Sequence, residues 1–192
     1  MKTLIAFLKW LAGVFFRIEI RNSENIPLDG ACIVCLNHIS LFDPVIAYCY
    51  LPRKIRFIGK SELMKIPVVG SILKSMGVIP VKRGTGDIGA VKASLKTLKD
   101  GEVLGIFPTG TREKKNPNAP VKPGVALIAS KSASPIIPVH INATYKLFSK
   151  VVLTVGKPVD FTNYSGKKLT QEELTEAAEK IYVAINSMGD AR

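Results

Sequence analysis

Two kinds of apolar pattern alternate along the 192 residues of this chain. Short continuous runs, Ala31 to Leu36, Val103 to Phe107, Pro135 to Ile141 and Val151 to Val155, have the length of buried strands. Lys54 to Lys60 and Gly77 to Gly84 also carry strand patterns, and Arg17-Ile18-Glu19-Ile20-Arg21 alternates as a half-buried strand does. Between these runs the apolar spacing turns helical. Ile88, Val91, Leu95 and Leu98 follow Asp87, a favoured N-cap, and stop at Gly101, with Lys92, Lys96 and Lys99 as the solvated face. A further helix runs from Gly124 to Lys131. The last opens on Thr170 with Glu173 completing a capping box and Leu169 with Leu174 as a hydrophobic staple. Ser61 caps an amphipathic segment, Leu63 to Leu73, that Pro67 and Gly70 interrupt and whose apolar residues suit either the core or the wall of a groove. The alternation predicts an α/β single domain with a mostly parallel central sheet flanked by helices, its site loops at the carboxyl ends of the strands.

One strand end carries candidate chemistry. Asn37-His38-Ile39-Ser40-Leu41-Phe42-Asp43-Pro44 directly follows the run Ala31 to Leu36. On one continuous helix His38 and Asp43 would stand about 140° apart, so they cooperate only if the helix starts between them. Asp43-Pro44 supplies that start, Asp as N-cap and Pro at the first helical position, and an Asn at 43 would keep the cap. His38 is then in the turn, free to fold back onto a carboxylate at a positive helix end. The carboxylate would orient one imidazole nitrogen and leave the other as an outward-facing base, with no nucleophile in the motif. A second reading is open: Asp43 is a good cap whatever His38 does, and a loop histidine can simply be solvated.

Charge and hydropathy narrow the partners. With 27 basic against 15 acidic residues the net charge is +12, which calls for an anionic partner. The lysines are spread over the loops with few aromatics beside them, and no recognised nucleic-acid motif is present, so nucleic acid is not expected. At 47% apolar the chain is oilier than the average soluble domain, yet no stretch reaches 18 consecutive apolar residues. Residues 1–16 read as an oily helix with Phe7, Trp10, Phe15 and Phe16, too short to cross a bilayer; Lys2 and Lys9 share one side and can snorkel, which favours a helix lying in a membrane interface. A signal peptide competes with this reading but lacks a small-residue cleavage site before the strand-like residues 17–21, and a plain core helix is the other alternative. Cys32 and Cys35 face opposite ways on one strand, and with Cys49 read as reduced, packed thiols of a cytosolic protein.

Downstream, Gly77-Val78-Ile79-Pro80-Val81-Lys82-Arg83 delivers two cations to a strand end. Phe107-Pro108-Thr109-Gly110-Thr111-Arg112 then empties a second strand into a loop where Gly110 permits close backbone approach and Arg112 can hold phosphate oxygens bidentately. Asn37-His38 with Asp43, these two stretches, and Ile136-Ile137-Pro138-Val139 resemble, in order, the four motifs of the glycerolipid acyltransferases, the family of 1-acyl-sn-glycerol-3-phosphate acyltransferases. The resemblance covers roughly residues 37–139. It implies an acyltransferase domain, residues 17–192, behind a membrane-associating helix, residues 1–16, at the cytoplasmic face of the membrane as a peripheral or monotopic protein. It further implies transfer of a fatty acyl group from acyl-CoA or acyl-carrier protein, as co-substrate, to the hydroxyl of lysophosphatidate, with no cofactor and no metal. His38 would be the base and Asp43 its orienting partner. Asn37, Lys82, Arg83, Thr109, Gly110, Thr111 and Arg112 would bind substrate, the arginines clamping phosphate; backbone amides near Gly110 or Asn37 would stabilise the oxyanion. One position departs: the family's third motif carries glutamate where this chain has Thr109. Either the acceptor differs, or the protein is an impaired lipid binder, or the glutamate is dispensable here.

Overall fold

The computed structural model describes residues 2–82, 86–113, 115–116 and 119–189. Among them seven strands form one sheet: β1 (Arg17–Arg21), β2 (Cys32–Leu36), β3 (Ile55–Lys60), β4 (Ile79–Val81), β5 (Val103–Ile106), β6 (Ile136–Ala143) and β7 (Lys150–Val155). Their order across the sheet is β1-β7-β6-β2-β5-β3-β4, and every neighbouring pair is parallel except β6 with β7. The central strand β2 is buried at all five positions, as expected of a parallel strand covered on both faces. Six α-helices supply the cover: α1 (Lys2–Phe15), α2 (Asp43–Tyr50), α3 (Val69–Ser75), α4 (Ile88–Lys99), α5 (Gly124–Ser132) and α6 (Gln171–Asn186).

The period of two along β2 sends its side chains to two separate cores. Cys32, Val34 and Leu36 join Ile46 and Ala47 of α2 and Met76 after α3, whereas Ile33 and Cys35 join residues of α4, α5 and α6. The opposed Cys32 and Cys35 are therefore borne out, and both are free and buried, as is Cys49. Burial pushes the Cys35 thiol far above its ordinary range, which keeps it protonated and unreactive.

Helix ends follow the sequence closely in two cases and not in two others. Asp87 caps α4 by accepting from the Ala90 N–H at 3.0 Å, and Thr170 with Glu173 forms the expected capping box on α6. Ser61 is not a cap: residues Ser61–Lys65 form a short 3-10 turn entered from Lys60, and α3 starts only at Val69. Asp43 is not the cap of α2 either; Phe42 holds that position without a side-chain bond, and Asp43 is the first helical residue.

Helix α1 stops at Phe15, one residue before the sequence-based limit, and its two sides differ. Ile5, Leu8 and the following Phe16 pack on the core, while Phe7, Trp10, Val14 and Phe15 remain exposed. Among the described residues no helix is long and apolar enough to cross a membrane.

Candidate active site

The turn after β2 explains why Asp43 gives up the capping role. Its Oδ2 accepts from the backbone N–H groups of Ile39 and Ser40, both at 2.7 Å, and lies 2.8 Å from His38 Nδ1. Its Oδ1 accepts from the Tyr145 hydroxyl at 2.6 Å, and the residue is 0% exposed. Oδ2 is an acceptor for both amides, so in the neutral imidazole it is Nδ1 of His38 that carries the hydrogen and donates it. Nε2 is left with its lone pair. The imidazole is stacked on Phe107, ring centroids 4.2 Å apart, and Phe107 in turn stacks on Phe57 of β3 at 5.4 Å. Gly105 makes that stack possible, since a Cβ there would stand 2.5 Å from the Phe57 ring. Among the described residues no serine or cysteine bonds to His38, so the pair is a base and its orienting acid without a nucleophile.

His38 borders a groove of about 810 Å³. Lys60, Lys82, Arg112, Lys115 and Lys122 stand on its wall against one carboxylate, Asp87, which is engaged by the N–H groups of Lys82 and Ala90. Leu63, Leu73, Val78, Val81, Val91, Ile128 and Leu174 make the remaining wall apolar. Part of the interrupted segment at 61–75 thus does face a groove, through Leu63 and Leu73. A mainly apolar lining that also carries these cations suits an amphiphile with an anionic head.

The residues named from sequence divide into groups. His38, Lys82, Gly110, Thr111 and Arg112 line the groove. Gly110 has φ +64°, and a side chain there would meet Lys122, so glycine is required; its N–H donates to Phe107 O at 2.9 Å, which removes it as an oxyanion donor. Asn37 faces away: its amide donates to Ile141 O at 3.0 Å and accepts from Ile141 N at 2.7 Å, tying the end of β2 to β6. Thr109 is also turned inward, 4% exposed, its hydroxyl donating to Thr111 O at 2.9 Å to close the loop. Arg83 lies outside the described residues.

Two partners of the dyad escaped the sequence reading. Tyr145, in the turn after β6, stands 102 residues from Asp43, and burial beside that carboxylate pushes its phenol far above the ordinary value. Glu113 donates its N–H to His38 O at 2.8 Å, and its Oε1 is buried without a hydrogen-bond partner among the described residues. Burial, and then the charge of Asp43, hold the Glu113 carboxyl above the usual glutamate range.

A base dyad bordering a groove that carries both cations and apolar side chains fits the class of transferases that activate a hydroxyl of a bound amphiphile. Comparison with known proteins makes this specific. Residues 17–142 match the model of the Acyltransferase family. The chain is 31% identical over 160 residues to the 1-acyl-sn-glycerol-3-phosphate acyltransferase of Bacillus subtilis, covering 79% of each protein. Against the enzyme of that name from Helicobacter pylori it is 32% identical over 189 residues, covering 90% of this chain and 80% of the other. For the Borreliella burgdorferi enzyme of the same name the values are 33% over 155 residues, with 80% of this chain and 61% of that one covered. The crystal structure of the 1-acyl-sn-glycerophosphate acyltransferase PlsC from Thermotoga maritima matches the whole chain and 81% of its own, with a TM-score of 0.72 at 28% identity. The chain belongs to the acyltransferase family.

Proposed function

We propose that this protein transfers a fatty acyl group from a thioester to the free sn-2 hydroxyl of 1-acyl-sn-glycerol-3-phosphate, forming phosphatidate. The carrying observation is the dyad at the rim of the groove: His38 Nε2, fixed through Nδ1 by Asp43, faces a site whose cations suit the acceptor phosphate and whose apolar wall suits an acyl chain. The relatives and the structural neighbour bear the name of this activity, which supports the same reading.

In this mechanism Nε2 takes the hydroxyl proton as the oxygen attacks the thioester carbon. The resulting imidazolium is stabilised by Asp43, the C–S bond breaks, and the proton passes to the departing thiolate. Arg112 from the loop after β5, with Lys82 from the end of β4, holds the phosphate so that the hydroxyl meets the base. The donor is acyl-CoA or acyl-carrier protein, and no cofactor takes part. The exposed Phe7 and Trp10 of α1, together with the net charge of +12, support a peripheral seat on an anionic membrane surface.

The test is thiol release over a panel of lysolipid acceptors with both donors. Lysophosphatidate is expected to be the best acceptor, with lysolipids whose phosphate bears a bulky head group well below it. Equal rates across head groups would contradict the reading, and vesicle binding without thiol release from any pair would mark a silent lipid binder.

A further inference from the structure

The turn between β6 and β7, residues 144–149, combines three features that the transfer mechanism does not use. First, Leu147 and Phe148 are 61% and 60% exposed, and a second exposed pair, Leu41 and Phe42, lies on the turn of the dyad, where Phe42 meets Tyr145. Leu41 also lines the groove, which joins this second pair to the site. Second, Tyr145 and Phe148 have φ of +56° and +58°, a left-handed backbone that large side chains adopt only where the surroundings enforce it. The enforcement is visible: the Phe148 N–H donates to Phe15 O at 2.7 Å, and the Tyr145 ring meets Phe16 edge-on at 5.4 Å and Phe42 at 5.8 Å. Third, this strained turn delivers the Tyr145 hydroxyl to Asp43 Oδ1.

The occupant of the rim follows from its charge and its neighbours. Lys146 sits between Tyr145 and Leu147 and is exposed, and Arg17, whose N–H donates to Ser149 O at 3.0 Å, adds a second exposed cation at the margin. Apolar tips framed by cations match the layering of an anionic lipid surface, headgroup charge outside and hydrocarbon beneath. The exposed aromatic side of α1 joins the rim through Phe15.

We propose that the 144–149 turn is a lipid-seated part of the active site: Leu147 and Phe148 enter an anionic lipid surface, and Tyr145, on the same turn, is a positioning residue that fixes Asp43. The proposal rests on the acyl-transfer function at a membrane. Tyr145 satisfies the one Asp43 oxygen that the turn amides leave open. The carboxylate then keeps its orientation toward His38.

Two variants test it. Transfer is measured to a dissolved short-chain lysophosphatidate and to a long-chain lysophosphatidate in vesicles of phosphatidylcholine and phosphatidylglycerol in equal parts. Wild-type protein is expected to sediment with the vesicles and to turn over faster there. Leu147→Ser/Phe148→Ser, at exposed positions, is expected to lower the ratio of the vesicle rate to the dissolved rate by about ten-fold. Tyr145→Phe keeps the ring packing and removes only the hydroxyl; its kcat is expected to fall on the order of ten-fold with both acceptors, KM changing less than about two-fold. A wild-type kcat in Tyr145→Phe, with or without a lower Tm, overturns the positioning role. An unchanged ratio in the double variant overturns the docking role while leaving the function at a membrane standing. Wild-type protein that transfers acyl groups but neither sediments with the vesicles nor gains rate there overturns the membrane setting and this proposal with it.

Discussion

At the scale of the residue, Asp43 departs furthest from its simplest role. An N-cap would satisfy the first amides of its own helix; Asp43 instead bonds backwards to Ile39, Ser40 and His38 and sideways to Tyr145. Asp43→Asn therefore cannot be neutral for the fold, as a cap exchange would be. The asparagine keeps one acceptor oxygen but turns an NH2 toward donors, and the variant is expected to lose about 1–3 kcal/mol of stability together with most of its activity, read by thermal melting and thiol release. Glu113 gives a prediction of opposite sign. Its carboxyl is held above the ordinary value by burial and by Asp43, so the folded protein keeps that proton to higher pH than the unfolded chain. The favourable contribution is complete below the usual glutamate range and is lost as pH rises through the raised value. Glu113→Gln is expected to melt above the wild type at neutral pH, the difference vanishing near about pH 4. The His38–Asp43 pair was legible because it is local: a strand end, a turn and an Asp-Pro helix start. Tyr145 and Glu113 were not, because their approach to Asp43 and His38 depends on where two other loops cross the same strand end, which no spacing encodes.

At the scale of the element, the strands and helices were readable from period and punctuation, and the errors lie at the joints. Glycines such as Gly101 and caps such as Asp87 mark helix limits with local chemistry, whereas the direction a loop side chain takes is set by its neighbours. Thr109 shows the difference. The motif comparison set it among the substrate-binding residues, but the loop turns it inward onto Thr111 O, and Asn37 is likewise bound to Ile141. Glutamate at 109 would have to bury a carboxylate in the position of a satisfied hydroxyl, so restoring the family's residue is not expected to raise activity. Arg112 does reach the groove. Removing one charged hydrogen-bond donor to a phosphate costs about 1.5–3 kcal/mol, so Arg112→Ala is expected to raise the acceptor KM by roughly ten-fold or more while the thioester KM moves little. Equal effects on both substrates, with normal folding, would assign Arg112 to the donor or to the fold.

At the scale of the whole molecule, the parallel strands β2, β5, β3 and β4 bring their carboxyl ends to the same side of the sheet, where α2, α4 and the loop after β5 surround the groove. The aromatic side of α1 stands on the same molecule with its inner side packed, so removing the helix would uncover core residues; point substitutions are the cleaner probe. Phe7→Ser/Trp10→Ser is expected to weaken binding to anionic vesicles at least about ten-fold while leaving Tm unchanged, and added salt is expected to remove only the basic part of wild-type binding. Sedimentation of the double variant equal to wild type would show that α1 serves the core alone. Acyl transfer by this protein turns on one event, removal of the acceptor proton by His38. The most direct measurement is thiol release with lysophosphatidate and an acyl thioester for wild-type and His38→Ala protein, with circular dichroism to confirm equal folding. A loss of at least about 100-fold in kcat is predicted, and a variant that keeps its rate within a few-fold of wild type would contradict it.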